Sequence, residues 1–334
     1  MIVEGFFIED LDGLIFDVKG LLHPPNRVIA YLRYFPDNYG ERERGGVRYR
    51  KVYSLAERDA ILKAKRPEYL YFDPVFGIIL EGVPRKRVAR IYDPREKLSQ
   101  LLGRERSGLE EAAAHLALKI ARNAKIPLSS IGVSGSMLVG LAGKSSDIDL
   151  VVFGEENSRK AYEAVGALMS EGEDVKPYDE IGLKRLYEFR IEDTTMSYEE
   201  FVRSERRKHM SGLVMNYDFF LRFVKFPEEY GESYGEKRYN PLGYALIEGV
   251  VSDDSDSIFT PCRYVLEKAR VLDGVKKPVS EVFSLRGRFS DQAREGEKII
   301  ARGKIEAVKS EEGEYFRLVI GGEKGDFLVV KGGD

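Results

Sequence analysis

GVSGSMLVGLAGKSSDIDLVVFG, residues 132–154, is the stretch on which the reading turns. An apolar entry leads to Gly135-Ser136, and Asp147-Ile148-Asp149 leads to an apolar exit. The entry predicts a short strand, SMLVGLA a short helix and DIDLVVFG a second strand. In a strand, residues two apart point to the same side, so Asp147 and Asp149 project together while Ile148 and Leu150 face a core. Neighbouring carboxylates repel and share a proton unless a cation separates them. Hard oxygen donors of this kind suit Mg²⁺ or Mn²⁺, which add phosphate oxygens to their shell. Two such ions about 3.5–4 Å apart stabilise both the attacking and the leaving oxygen of a phosphoryl transfer. At the other end, the unpaired N–H groups of a turn into a helix form an anion site, to which Ser136 adds a hydroxyl.

Working outward, SGLEEAAAHLALKIARNA predicts a helix with a capping box at Ser107 and Glu110 and an apolar face through Leu109, Ala113, Leu116, Ile120 and Ala124. EENSRKAYEAVGALMSEG predicts another helix. A further capping box at Ser197 and Glu200 opens YEEFVRSERRKHM, and LVMNYDFFLRFVKF reads as a strand. These elements predict an α+β core over residues 105–226. Residues 1–104 read as an N-terminal α+β domain: two strands about an Asp-Gly turn, a strand in RVIAYLRYF, a helix capped by Ser54 and Glu57, and a strand in YLYFDPVFGIILEGV. The charged stretch from Pro84 to Gly108 reads as an exposed, partly helical connector. Residues 227–334 begin with a Pro- and Gly-rich linker and continue as short apolar runs between turns, the pattern of a small β barrel or sandwich.

Bulk composition narrows the function. The chain has 334 residues and a net charge of −3, so it is not a generally basic nucleic-acid binder; any such surface is local. A single cysteine, Cys262, excludes an internal disulfide, and His23, His115 and His209 have no partner at zinc spacing. No apolar run is long enough to cross a membrane and no signal peptide opens the chain, so a cytoplasmic protein is expected. Gly143-Lys144-Ser145 has the ending of a P-loop, but the glycine required five positions earlier is Leu138, which excludes a P-loop NTPase.

The whole arrangement, Gly135-Ser136, ten intervening residues, then Asp147-Ile-Asp149-Leu preceded by Ser146, resembles the signature of the polymerase-β-like nucleotidyltransferase superfamily. The flanking regions resemble an archaeal group of nucleotidyltransferase-domain proteins. The resemblance covers about a third of the chain. It implies a mixed sheet, two metal ions, an NTP substrate and a third carboxylate on a later strand. By that analogy Gly135 and Ser136 contact the triphosphate, and Asp147 and Asp149 bind Mg²⁺ or Mn²⁺. Asp218 is the choice for the third acid, to bind metal and help deprotonate the acceptor hydroxyl; Asp179, Glu188 and Glu192 compete for that role. Lys144 and Ser146 are counted with the nucleotide-binding residues. So are Arg203 and Arg207, which share a helix face just before the Asp218 strand. Arg85, Lys86, Arg87 and Arg90 form a second basic run. An RNA or DNA end is the expected acceptor, with a protein or small-molecule acceptor, or an inactive nucleic-acid-binding protein retaining the fold, as alternatives. Tyr315 and Phe316 are candidate stacking aromatics of the barrel, although a packed strand needs the same residues.

Overall fold

The Asp-Gly turn near the N-terminus forms because Asp10 closes it: one carboxylate oxygen accepts the N–H groups of Asp12 and Leu14, both at 2.9 Å, and Gly13 takes φ +81°. This turn joins β1 (Phe7–Asp10) to β2 (Ile15–Val18). The computed structural model describes residues 1–334 except Tyr53, Asp193, Gly333 and Asp334. The sheet continues through β3 (Arg27–Pro36), β4 (Arg42–Arg44) and β5 (Val47–Lys51). Gly45 and Gly46 turn β4 into β5 with φ +58° and +78°, values that suit a two-residue hairpin. α1 (Leu55–Lys65) follows, its first turn capped by Ser54 Oγ, which accepts the Glu57 N–H at 3.0 Å. YLYFDPVFGIILEGV makes two strands rather than one, β6 (Leu70–Asp73) and β7 (Ile78–Pro84), because Gly77 at φ +64° reverses the chain between them. The charged connector is ordered as β8 (Val88–Tyr92) and α2 (Pro94–Leu102), the latter burying Leu98 and Leu101. The strand order is β4-β5-β3-β2-β1-β8, with β7 also on β3 and β6 on β7.

α3 (Leu109–Ala124) buries the alanine and leucine stripe read from the sequence. Its expected Ser107 cap does not form; Gly108 at φ +55° stands at the N-cap instead. Next come β9 (Ile131–Val133), the single turn α4 (Gly135–Leu138), β10 (Ile148–Phe153), α5 (Glu155–Glu171) and β11 (Val175–Lys176). α6 (Glu180–Arg190) and α7 (Tyr198–Glu205) follow, α7 carrying the full Ser197–Glu200 capping box. LVMNYDFFLRFVKF also folds as two strands, β12 (Ser211–Val214) and β13 (Tyr217–Val224). Met215 and Asn216 both take positive φ between them, +49° and +67°, the conformation of a tight hairpin turn. The core sheet runs β11-β12-β13-β10-β9; it is mixed, because β10 and β13 are parallel and the other pairs antiparallel. α8 (Pro227–Tyr230) ends this part of the chain.

Two compact units result. The first comprises residues 1–73, 78–176 and 210–234, so the N-terminal strands and the core sheet belong together. Val151 and Phe153 of β10 and Val224 of β13 share one apolar cluster with Phe6, Ile8, Phe16 and Leu32. A second cluster joins Phe7, Ile15, Tyr34, Tyr49 and Tyr92 to Leu138, Val139 and Leu141 of the glycine-rich stretch. The second unit comprises residues 74–77, 177–209 and 235–334. Its strands are β14 (Arg238–Asp253), β15 (Cys262–Gly274), β16 (Val279–Ser284), β17 (Lys298–Ser310), β18 (Gly313–Val319) and β19 (Phe327–Val330). They pair in the order β14-β15-β16-β18-β17, and β17 pairs back to β14, closing a five-stranded ring with β19 added on β17. Closure removes the free edges of the ring. The whole is a mixed α+β fold in which no helix among the described residues is long and apolar enough to cross a membrane.

Candidate active site

β10 alternates as the sequence reading requires. Ile148, Leu150 and Val152 are fully buried on one face, while Asp149 shares the other face with Val151 and Phe153. Asp147, one residue before the strand, is exposed and Asp149 partly buried. β13 runs parallel beside β10, pairing Ile148 with Phe219 and Asp149 with Phe220. Phe219, Leu221 and Phe223 point into the core, so Asp218, Phe220 and Arg222 lie on the face that carries Asp149. Asp218 therefore lies on the neighbouring strand, on the face that carries Asp149. Asp179, Glu188 and Glu192 lie in the second unit, with Asp179 spent as the N-cap of α6.

The phosphate-type turn meets the acids directly. Gly135 has φ +60°, and a Cβ placed on it would lie 1.9 Å from Asp149 Oδ2. No other residue fits between the turn and the carboxylate. The Ser134 N–H donates to the Asp149 carbonyl at 2.8 Å, and Ser134 Oγ donates to the Gly5 carbonyl at 2.7 Å, fixing the turn on both sides. Ser136 is buried, its hydroxyl 3.1 Å from that of Ser146. Lys144 is exposed on the loop between turn and acids.

Charge on this face is unevenly matched. Burial, and then the adjacent Asp147 carboxylate, push the Asp149 carboxyl up to about 7, against the pull of Arg222, Lys51 and Arg33. Arg222 is itself held by Glu4, whose Oε1 accepts it at 2.6 Å, and Glu4 Oε2 accepts the Gly20 N–H at 2.7 Å. Burial would raise the Asp17 carboxyl, but Lys19 and Arg222 hold it below the usual carboxylate range. Asp147 and Asp149 are neighbouring hard oxygen donors, a pair whose chemistry fits a divalent ion. No cluster of three or more acids or imidazoles closes around a common point among the described residues.

Lys51, Arg33, Asp17 and Arg42 come from the N-terminal strands, and sequence reading missed them. The available signal was RERGGVRYRK, a Gly-Gly hairpin with alternating basic residues. Arg42 donates to the Leu141 carbonyl at 3.2 Å and to Ser146 Oγ at 3.0 Å, and Arg44 donates to the Val139 carbonyl at 3.1 Å. The structure does not bring Arg203 and Arg207 into this unit. They belong to the second, where Arg203 donates to the Val330 carbonyl and Arg207 donates to Glu297 at 2.8 Å and to the Gln292 carbonyl at 2.9 Å. In the barrel, Phe316 packs against the interior and Tyr315 donates to Glu281 at 3.3 Å.

Residues 117–209 match the nucleotidyltransferase domain family. The chain is also similar to an uncharacterised protein of Methanocaldococcus jannaschii, 37% identical over 326 residues that span 94% of each chain.

The chain belongs to the polymerase-β-like nucleotidyltransferases.

The nucleotidyltransferase match supports nucleotidyl transfer as the general activity and takes in the glycine turn and both aspartates. It ends at residue 209, before the strand that carries Asp218. No solved structure matches the nucleotidyltransferase chain.

Proposed function

We propose that the protein is a metal-dependent transferase that moves a nucleotide from an NTP to an acceptor hydroxyl at a nucleic-acid end, forming a phosphodiester and releasing pyrophosphate. One observation carries the proposal: Asp149 lies against Gly135 so closely that a Cβ there would sit 1.9 Å from its carboxylate oxygen. Triphosphate and metal must occupy adjoining places for nucleotidyl transfer, and here the turn and the acids adjoin. Asp147 and Asp149 are the residues that would hold Mg²⁺ or Mn²⁺, and Asp218 lies on the face of the next strand that carries Asp149. Such an ion neutralises charge developing on the transferring phosphoryl group. The turn at Gly135-Ser136 binds the polyphosphate through backbone N–H groups and the serine hydroxyl. Asp218 accepts the proton of the acceptor hydroxyl. Arg222, Lys51 and Arg33 add positive potential at Asp149.

Incubation with Mg²⁺ or Mn²⁺, each labelled NTP and a pool of RNA and DNA ends tests the reading. Label transfer by the wild type and its loss in Asp147→Ala are expected. Absence of both transfer and metal-dependent NTP binding would favour a nucleic-acid-binding protein that retains the fold. Transfer only to small molecules or to protein would replace the acceptor.

A further inference from the structure

Alternate residues of a barrel strand point to water, and those positions are ordinarily polar. Over one stretch of the ring, β14 and β17 depart from that pattern. Ala245, Ile247 and Val251 of β14 and Ile299, Ala301 and Ile305 of β17 belong to the interior cluster. Tyr244, Leu246, Glu248 and Val250 therefore face outward, paired in that order with Lys304, Arg302, Ile300 and Lys298. Tyr244, Leu246, Val250 and Ile300 are half-buried, so an aromatic ring and three aliphatic groups lie at the surface between cations. The Arg302 guanidinium stands 5.5 Å and the Lys304 ammonium 5.6 Å from the Tyr244 ring centroid. Arg270 of β15 and Lys331 share one carboxylate, Glu248, at 2.6 Å and 3.3 Å. Asp273, opposite Leu246 on β15, and Glu323, which accepts the Tyr244 hydroxyl, are the acids at the margin. The face is thus locally positive in a chain whose net charge is −3. β14 and β17 are each paired on both sides, so the face offers a partner side chains and no free backbone edge.

We infer that this outer face of the barrel binds a single-stranded nucleic acid, with Lys298, Arg302 and Lys304 on its phosphates and a base against Tyr244. The inference rests on the transferase reading above and gives its nucleic-acid acceptor a docking surface in the second unit. The three cations project from one side of β17 at even-numbered positions, the two nearest about 6.6 Å apart, a row that an extended phosphate backbone can follow. Between them, Tyr244, Leu246 and Ile300 suit the flat faces of unpaired bases, which a duplex keeps stacked inside. Tyr315 and Phe316, the aromatics singled out in the sequence, lie elsewhere on the barrel, one bonded to Glu281 and the other packed inward.

The test uses the full chain and labelled oligouridylate and oligodeoxythymidylate of about 12 nucleotides, read by fluorescence anisotropy across a salt series. The two probes separate RNA from DNA as the tighter ligand. Tyr244→Leu should weaken binding about tenfold with little change in salt dependence, while Tyr244→Phe, which keeps the ring, should stay within about twofold of wild type. Lys298→Gln combined with Lys304→Gln should make the salt slope shallower by about 0.7 for each cation removed. Unfolding curves and calorimetric binding of NTP with Mn²⁺ should match wild type in all these variants. Unchanged oligonucleotide affinity in Tyr244→Leu together with an unchanged slope in the lysine variant would overturn the inference and leave the transferase reading standing. Binding of phosphatidylserine vesicles without oligonucleotide binding would overturn it in favour of a lipid surface. A wild type that binds the oligonucleotides as expected but no NTP with Mn²⁺ would overturn the transferase reading and leave the docking surface in place.

Discussion

Gly135→Ala separates the geometry of the site from the stability of the fold. Gly135 has φ +60°, where an L-residue costs about 1–2 kcal/mol. Its added Cβ would lie 1.9 Å from Asp149 Oδ2, so the carboxylate must retreat by roughly 1 Å to reach even a tight contact. A displacement of about 1 Å at a reacting centre costs on the order of 100-fold in rate. Gly172 supplies the control: it caps α5 at φ +70°, and a methyl group added there would meet nothing within 4 Å. Gly172→Ala should therefore lose about 1–2 kcal/mol in urea unfolding, and Gly135→Ala at least as much because of the added contact with Asp149. Only Gly135→Ala should also lose about 100-fold in metal-dependent nucleotide transfer, measured as kcat/KM with labelled NTP. Equal activity in the two variants would show that the turn does not position Asp149.

A divalent cation should stabilise the protein through the same carboxylates: Mn²⁺ at about 100 times its Kd should add about 2.7 kcal/mol to the wild type and little to Asp147→Asn or Asp149→Asn, as read by thermal unfolding. Burial, aided by the charge of Arg85, lowers the His23 imidazole to about 4, while its Nδ1 accepts the Ile29 N–H at 3.2 Å. The unfolded chain binds the proton first, so stability should fall by about 3 kcal/mol as pH drops from about 6.5 to about 4, a loss that His23→Asn should remove from the unfolding profile. In the second unit, burial would raise Glu205, but Arg190 and Lys208 override it and hold the carboxyl at about 2. Glu205 accepts Arg190 at 2.6 Å and Lys208 at 3.2 Å, so Glu205→Gln, which leaves two buried cations uncompensated, should cost about 3–5 kcal/mol; a melt shifted by less than about 1 kcal/mol would refute that account.

Signals with a local cause were legible in the sequence. Period-two alternation put Asp149 opposite Ile148 and Leu150, and the Ser197–Glu200 box formed as spaced. The Ser107–Glu110 pattern had the same spacing, but the positive φ of Gly108 gave the helix a different start. Met215-Asn216 hid a hairpin inside an apolar run, because neither residue announces a turn as strongly as glycine would. The alternation of β13 was legible and puts Asp218 on the face of Asp149, while the bonds of Arg203 and Arg207 to Val330 and Glu297 left no trace in the helical spacing. Arg42 meets Ser146 across 104 positions and Glu4 meets Arg222 across 218. Contacts of that span leave no period in the chain, so the N-terminal share of the site became visible only on folding.

The guanidinium of Arg42 on the Ser146 loop, and the apolar cluster joining Phe6 and Ile8 to Val151 and Phe153, limit how the catalytic portion can be excised. A fragment trimmed to the family-matched segment would lack Phe6 and Ile8, Arg42 and the strand bearing Asp218. Transplanting the activity into a chimera calls for the opening hairpins and the strand bearing Asp218 to travel with the glycine turn and the aspartates, because the compact unit that holds them is discontinuous in the gene.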